Sequence, residues 1–204
     1  MAYSDFTLDT VRKAFGLTLK RAPLFAIVDP VDVPQWLTAL LEKGRPLALG
    51  SEKARSEFIL VPILLASREL HHNSFSIYSG ERLDSDPSRG LNGECDFVLT
   101  NTPPLPVIQA PIVVIVEAKK NDIEAGLGQC VAQMVGARLF NQKEGNGIEL
   151  IFGCVTTGED WQFLKLERDD VLIDSERYYI DHVDKILGMF RAIMACYTPY
   201  LTAA

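Results

Sequence analysis

The sequence predicts an α/β protein, a mixed β-sheet with helices packed on its faces. Three observations carry that class. Residues 112–118 read Ile-Val-Val-Ile-Val-Glu-Ala, a near-continuous branched run of the length and composition of a strand buried on both sides. Residues 123–141 instead repeat their apolar positions at helical intervals, through Leu127, Cys130, Val131, Met134, Val135 and Leu139. Along the chain these two kinds of signal come in the order helix, strand, strand, strand, helix, strand, strand, helix.

Taken in order, residues 1–45 read as a helical extension. Phe6, Val11, Ala14, Phe15 and Leu19 have roughly helical spacing, with Ser4 or Thr7 as a cap. Pro23, Pro30 and Pro34 then punctuate, and residues 35–43 form a second short helix ending at Gly44. Residues 51–70 are expected as one long helix capped by Ser51 and kinked at Pro62, whose ring removes a backbone donor and crowds the turn before it. Residues 75–78 are a short aromatic and branched strand. Residues 80–93 are polar and read as a long mobile hairpin loop, and residues 95–100 return as a strand. The four prolines within residues 101–111 mark a connection. After the central strand and its helix come strands at 149–155 and 161–166 around a turn at Gly158-Glu159. A short strand pair at 171–173 and 178–180 follows, and an amphipathic helix over 181–196 closes the chain. The whole is expected as a single domain, with a core at 51–166 and a C-terminal helix at 181–197.

Composition bounds the function. The 204 residues hold 20 Lys+Arg against 27 Asp+Glu, a net charge of −7. That excess argues against coating nucleic acid by bulk charge, though not against a local site that meets it. The deficit is uneven: residues 1–72 carry 9 basic against 8 acidic side chains, 73–142 carry 5 against 8, and 143–204 carry 6 against 11. There is neither a basic start with an apolar run behind it nor an apolar stretch of spanning length, so no membrane association is expected. Cys95, Cys130, Cys154 and Cys196 are too far apart for a CxxC pair and read as free thiols in a reducing, cytoplasmic setting.

One constellation does not fit packing alone. Glu117 and Lys119 end the most apolar strand of the chain and, being two apart, project on one face of it. Asp96 begins the neighbouring strand, and Glu57 precedes the apolar run of the long helix. A buried strand end with an unpaired carboxylate and ammonium costs several kcal/mol. A hard divalent cation would relieve that conflict, taking carboxylate oxygens, water and a substrate phosphate. A lysine beside it can orient or deprotonate the attacking water.

This arrangement resembles the PD-(D/E)xK nuclease superfamily, whose fold is restriction-endonuclease-like. The resemblance rests on Asp96 within Gly93-Glu94-Cys95-Asp96-Phe97 and on Glu117-Ala118-Lys119, 21 positions later on the next strand. Glu57 matches the acidic residue often found on the preceding helix of that fold, and Gln129 and Gln133 match the glutamine that often follows the motif. The family's proline before its aspartate is replaced by Cys95, and the match spans residues 51–166. The resemblance implies that Asp96, Glu117 and the Ala118 carbonyl bind Mg²⁺ or Mn²⁺, with Glu57 helping to hold the metal or its water. It implies that Lys119 positions the nucleophilic water and that Gln129 or Gln133 orients the site or touches the phosphate backbone. The implied reaction is metal-dependent endonuclease-type hydrolysis of a phosphodiester in DNA.

Other readings stay open beside it. The same fold can be a non-catalytic regulatory or DNA-interacting subunit, can act as a homodimer, or can take its DNA specificity from a protein partner. His71-His72 read as a helix end that favours cations rather than a metal site. Gly126-Leu127-Gly128 lacks the third glycine of a dinucleotide loop and reads as a close approach of helix to strand. Trp161, Tyr197 and Tyr200 read as core or interface aromatics, and Arg82 and Arg89 as cations of a solvated loop, with contact to a phosphate backbone as the alternative.

Overall fold

The computed structural model describes residues 1–198. Tyr3–Asp5 is a single 3₁₀ turn, followed by helix α1, Leu8–Phe15. Thr7 caps α1 by accepting the Thr10 N–H on its hydroxyl at 3.2 Å. The helix stops at Gly16, whose φ of 68° is the left-handed turn that glycine adopts without strain. The next residues depart from a purely helical extension, because Thr18–Arg21 is a strand, β1. Its four residues are mostly exposed, which leaves little alternation for sequence reading to find. Tyr200 lies outside the described residues.

Helix α2 spans Gln35–Gly44. The helix expected from residue 51 runs as α3, Glu52–Arg55, a π-helical turn, Ser56–Leu60, and α4, Val61–Leu70. Ser51 caps it through the Ala54 N–H at 3.1 Å. The wide turn, in which Val61 N–H reaches back to the Ser56 carbonyl, directly precedes Pro62 and absorbs the misfit of its ring.

The strands that follow are β2, Ser76–Arg82, β3, Glu94–Thr100, and β4, Ile112–Ala118. The segment between β2 and β3 is ordered rather than a mobile loop. Leu83, Ser85 and Leu91 are buried, the backbones of Ser85 and Asp86 both bond the Leu91 carbonyl, and Asn92 accepts the Tyr3 N–H. Its polar sequence hides two leucines that anchor it. Helix α5, Ile123–Lys143, starts at an Asp122 cap, where its periodicity placed it, and runs two residues further than expected. Strands β5, Leu150–Thr156, β6, Asp160–Glu167, β7, Asp170–Ile173, and β8, Tyr178–Tyr179, precede the last helix, α6, Val183–Ala195.

The strands form one mixed sheet of eight in the order β1-β7-β6-β5-β4-β3-β2, with β8 added beside β6. Strands β7 and β8 do not pair with each other, contrary to the expected pairing. Each bonds a different part of β6, β7 along Leu164–Glu167 and β8 at Asp160 and Trp161. The sheet is mixed because β4 and β5 run parallel, as do β1 and β7, while every other neighbour is antiparallel. A parallel step needs a crossover, and α5 supplies it between β4 and β5.

Helices α2, α4 and α6 cover one face of the sheet over Val114, Val116, Phe152, Cys154 and Phe163. Helices α1 and α5 cover the other over Ile115, Ile151, Val155 and Leu164. With a helical layer on each side, β4 is buried along its entire length. Each Val or Ile fully removed from water there contributes about 1.5–3 kcal/mol. Trp161 and Tyr197 are core residues, both fully buried, with the Tyr197 hydroxyl donating to the carbonyls of Val113 and Leu150. The cysteines are all free; Cys95, Cys130 and Cys154 are buried and Cys196 is half-buried. Among the described residues no helix is long and apolar enough to cross a membrane.

Candidate active site

The site grows out of the point where the β3–β4 ladder stops. The register pairs Phe97 with Val116 and ends one residue short of Asp96 and Glu117. Beyond it a side chain takes over from the ladder, and Asp96 Oδ2 accepts the Ala118 N–H at 2.7 Å. This pins the Asp96 carboxylate across the strand pair, beside the residue that carries the second acid.

Glu117 is 2% exposed, yet both its oxygens are satisfied. Lys119 Nζ donates to Oε1 at 2.8 Å and Gln133 Nε2 donates to Oε2 at 2.9 Å. Lys119 also donates to Gln129 Oε1 at 3.0 Å. Gln129 and Gln133 are one helical turn apart on α5, so a single face of that helix orients both members of the Glu117–Lys119 pair. Gln133 Oε1 is buried with no hydrogen-bond partner among the described residues, an uncommon expense kept at this position.

The electrostatics follow from burial and crowding. Desolvation, then the negative charge of Asp96, pushes the Glu117 carboxyl up to about 7. Burial likewise raises Asp96, partly opposed by the Ala118 N–H and the Lys119 charge. Burial works to lower Lys119, but the carboxylates of Glu117, Glu52 and Asp96 outweigh it and hold the ammonium charged. The site therefore has an excess of negative charge that one lysine does not cancel.

Helix α5 can approach so closely because of Gly126. A methyl there would lie 2.6 Å from Val155 Cγ1 and 2.9 Å from Lys119 Cγ. The glycine pair is a packing device, as its spacing implied.

In front of Asp96 opens a cleft of about 440 Å³ whose lining includes Glu52, Lys53, Glu57, Glu94 and Asp96. Glu57 stands at this mouth on the π-helical turn, half-exposed and 3.9 Å from Lys53. It shares the cleft with Asp96, while Glu117 lies buried behind. Among the described residues no group of three or more His, Cys, Asp or Glu side chains converges on a metal-sized space, so Glu57 does not close with Asp96 and Glu117 into one tight set.

Two neighbouring acids escaped sequence reading. Glu52 Oε1 accepts the Lys120 N–H at 3.0 Å and so ties α3 to the end of β4. In sequence it is indistinguishable from an ordinary first-turn acid after an N-cap. Glu94 lines the cleft as well, and its place two residues before Asp96 was the signal for it.

The other sequence candidates are used elsewhere. Arg82 pairs with Asp84 at 3.0 Å, and the Arg89 guanidinium sits 4.7 Å over the Phe15 ring. Both cations are engaged within the protein. His71 is half-buried, and burial and then Arg191 lower its pKa, which disfavours the helix-end cation expected.

The chain matches no protein-family model. It is similar to Crinkler effector protein 1 of Rhizophagus irregularis, with 24% identity over 187 residues. That likeness covers 83% of the chain, which spans 38% of the relative's length.

Proposed function

We propose that this chain is a metal-dependent nuclease with a restriction-endonuclease-like core, hydrolysing phosphodiester bonds in DNA. The observation that carries the reading is the buried Glu117–Lys119 pair, fixed by Gln129 and Gln133, with Asp96 pinned on the adjoining strand close enough to raise the Glu117 carboxyl. A pair of carboxylates that repel each other at the ends of two inner strands fits a hard cation, whose remaining coordination water and phosphate would fill. Asp96 and Glu117 would hold Mg²⁺ or Mn²⁺, with Glu57, Glu52 and Glu94 facing its water from the cleft. When bound, the ion supplies charge neutralisation at the phosphate and a more acidic water.

The remaining roles belong to the protein. Lys119, held by Glu117 and Gln129, presents an ammonium that can steady a phosphate oxygen or orient the attacking water. Gln133 fixes Glu117 so that its carboxylate does not swing toward Lys119 alone. Plasmid or oligonucleotide cleavage with Mg²⁺ or Mn²⁺ tests the assignment. Wild type is expected to cleave, and Asp96→Ala and Lys119→Ala each to lose at least about 100-fold, the scale of a misplaced acid–base or charge-stabilising group. Cleavage unchanged in both variants would overturn the roles.

The acidity of the mouth favours a second reading, a non-catalytic interaction module or a subunit whose DNA specificity comes from a partner. Glu52, Glu57, Glu94 and Asp96 stand there against Lys53, and Arg82 and Arg89 are engaged internally. Calorimetry separates the two: a module without catalytic need would bind no divalent ion at millimolar levels. The likeness to an effector protein is compatible with either reading.

A further inference from the structure

A second cleft, of about 390 Å³, opens along the same sheet edge and is lined by Phe25, Arg177, Tyr178, Tyr179, His182 and Lys185, among others. Its place relative to the candidate active site follows from strand register. Ala118 pairs with Thr156, Thr156 with Trp161, and Trp161 with Tyr178, so these residues form one row across β4, β5, β6 and β8. Three inter-strand spacings of 4.7–4.9 Å put Tyr178 about 14 Å from Ala118. Arg177 closes the interval by pairing with Glu124 in the first turn of α5, the helix that positions Lys119, and by bonding Gln162 Oε1 at 3.3 Å.

The chemistry of this cleft differs from that of the acidic mouth. Tyr178 is committed to packing, edge-on to Phe163 at 5.5 Å with its hydroxyl 3.4 Å from Asp174. Tyr179 is not: it is 51% exposed. The side chains of Lys185 and His182 have no ion-pair or hydrogen-bond partner among the described residues. Arg177 is paired with Glu124, so Lys185 is the cation the lining leaves without an ion-pair partner among the described residues, in a chain whose net charge is −7. An exposed aromatic face beside the unpartnered Lys185 ammonium fits a planar base attached to a phosphate.

Resting on the nuclease reading above, the geometry points to this cleft as a stacking subsite for an unpaired nucleotide, which makes the favoured substrate a single strand or a duplex with a frayed or flanking single-stranded segment. Tyr179 provides the stacking face, and Lys185 provides the phosphate contact. A paired base has both faces covered by its neighbours, so only an unstacked base can lie on Tyr179.

The test is equilibrium anisotropy with a short labelled oligodeoxythymidylate, used as a single strand and annealed to oligodeoxyadenylate, in EDTA and in Ca²⁺, with the full chain. Wild type is expected to bind the single strand more tightly than the duplex. Tyr179→Ala is expected to weaken single-strand binding about 5-fold or more, and Tyr179→Phe to retain it. Lys185→Glu is expected to weaken it and to make the salt dependence shallower by about one phosphate contact. An abasic strand should erase the difference between wild type and Tyr179→Ala. Equal binding by wild type and Tyr179→Ala, or preference for duplex, would overturn the subsite. If wild type binds or cleaves DNA and Tyr179→Ala does so equally, the subsite alone falls. If wild type neither binds nor cleaves any strand, the nuclease reading falls with it.

Discussion

Glu117 sets the behaviour of the site at the scale of single residues. Its buried carboxyl is pushed up to about 7 by desolvation and by Asp96. A folded-state pKa above the ordinary value means that the folded protein still holds a proton that the unfolded chain has already released. Stability from this group is therefore present at acid pH and is lost as pH rises from about 4.5 through about 7, a change on the order of 3 kcal/mol. Replacing the acid by its amide removes that penalty. In EDTA, Glu117→Gln is expected to melt higher than wild type at pH 8, with the gap closing toward pH 5, while DNA cleavage is lost. Thermal melts across that range check it, and a gap independent of pH would show that Glu117 is not the strained group. Sequence reading singled out Asp96, Glu117 and Lys119 because charged residues at the end of an apolar strand conflict with local pattern, and Gln129 and Gln133 only through the family resemblance. It did not find Glu52, whose contact with the Lys120 backbone depends on tertiary approach.

Among the elements, α5 is the positioning device. It places Gln129 against Lys119 and Gln133 against Glu117, and it can do so only because Gly126 admits Lys119 and Val155 to its surface. Glycine in a helix interior ordinarily costs about 1 kcal/mol relative to alanine, so Gly126→Ala would stabilise an isolated helix. Here the added methyl meets Val155 Cγ1 at 2.6 Å. Gly126→Ala is expected to destabilise the protein by about 1–3 kcal/mol and to lower cleavage by displacing Lys119. Chemical denaturation and cleavage rates check this, and a more stable, fully active variant would contradict it. The elements with strong periodicity, β4 and α5, were legible in the sequence to within two residues at each end. Strand β1 was not, since four mostly exposed residues carry no burial pattern and its pairing partner β7 lies about 150 positions away. The segment between β2 and β3 misled because its polar composition conceals the burial of Leu83 and Leu91.

For the whole molecule, the opposition lies between a net charge of −7 and a proposed polyanionic substrate. The fold gathers acids at the mouth of one cleft and leaves two cations lining the next along the same sheet edge. A bound divalent ion would offset the first, and strand binding would draw on the second. Mg²⁺ or Mn²⁺ is therefore expected to raise the melting temperature of wild type, by the equivalent of about 2.7 kcal/mol at a hundredfold excess over the dissociation constant. Asp96→Ala should respond much less, and chelation should reverse the effect. Scanning calorimetry with and without the ion reads this directly. Fold class was legible at this scale because a buried branched strand followed by a long periodic helix leaves few alternatives. The arrangement of clefts was not, because it is set by which loops meet at one edge of the sheet.

Asp96 and Glu117 are proposed to form one cation site. Anomalous diffraction from crystals soaked in Mn²⁺ tests it most directly. The expected result is a single strong peak within ligand distance of both carboxylates, with Lys119 still bound to Gln129. A peak elsewhere, or none at millimolar Mn²⁺, would contradict the claim.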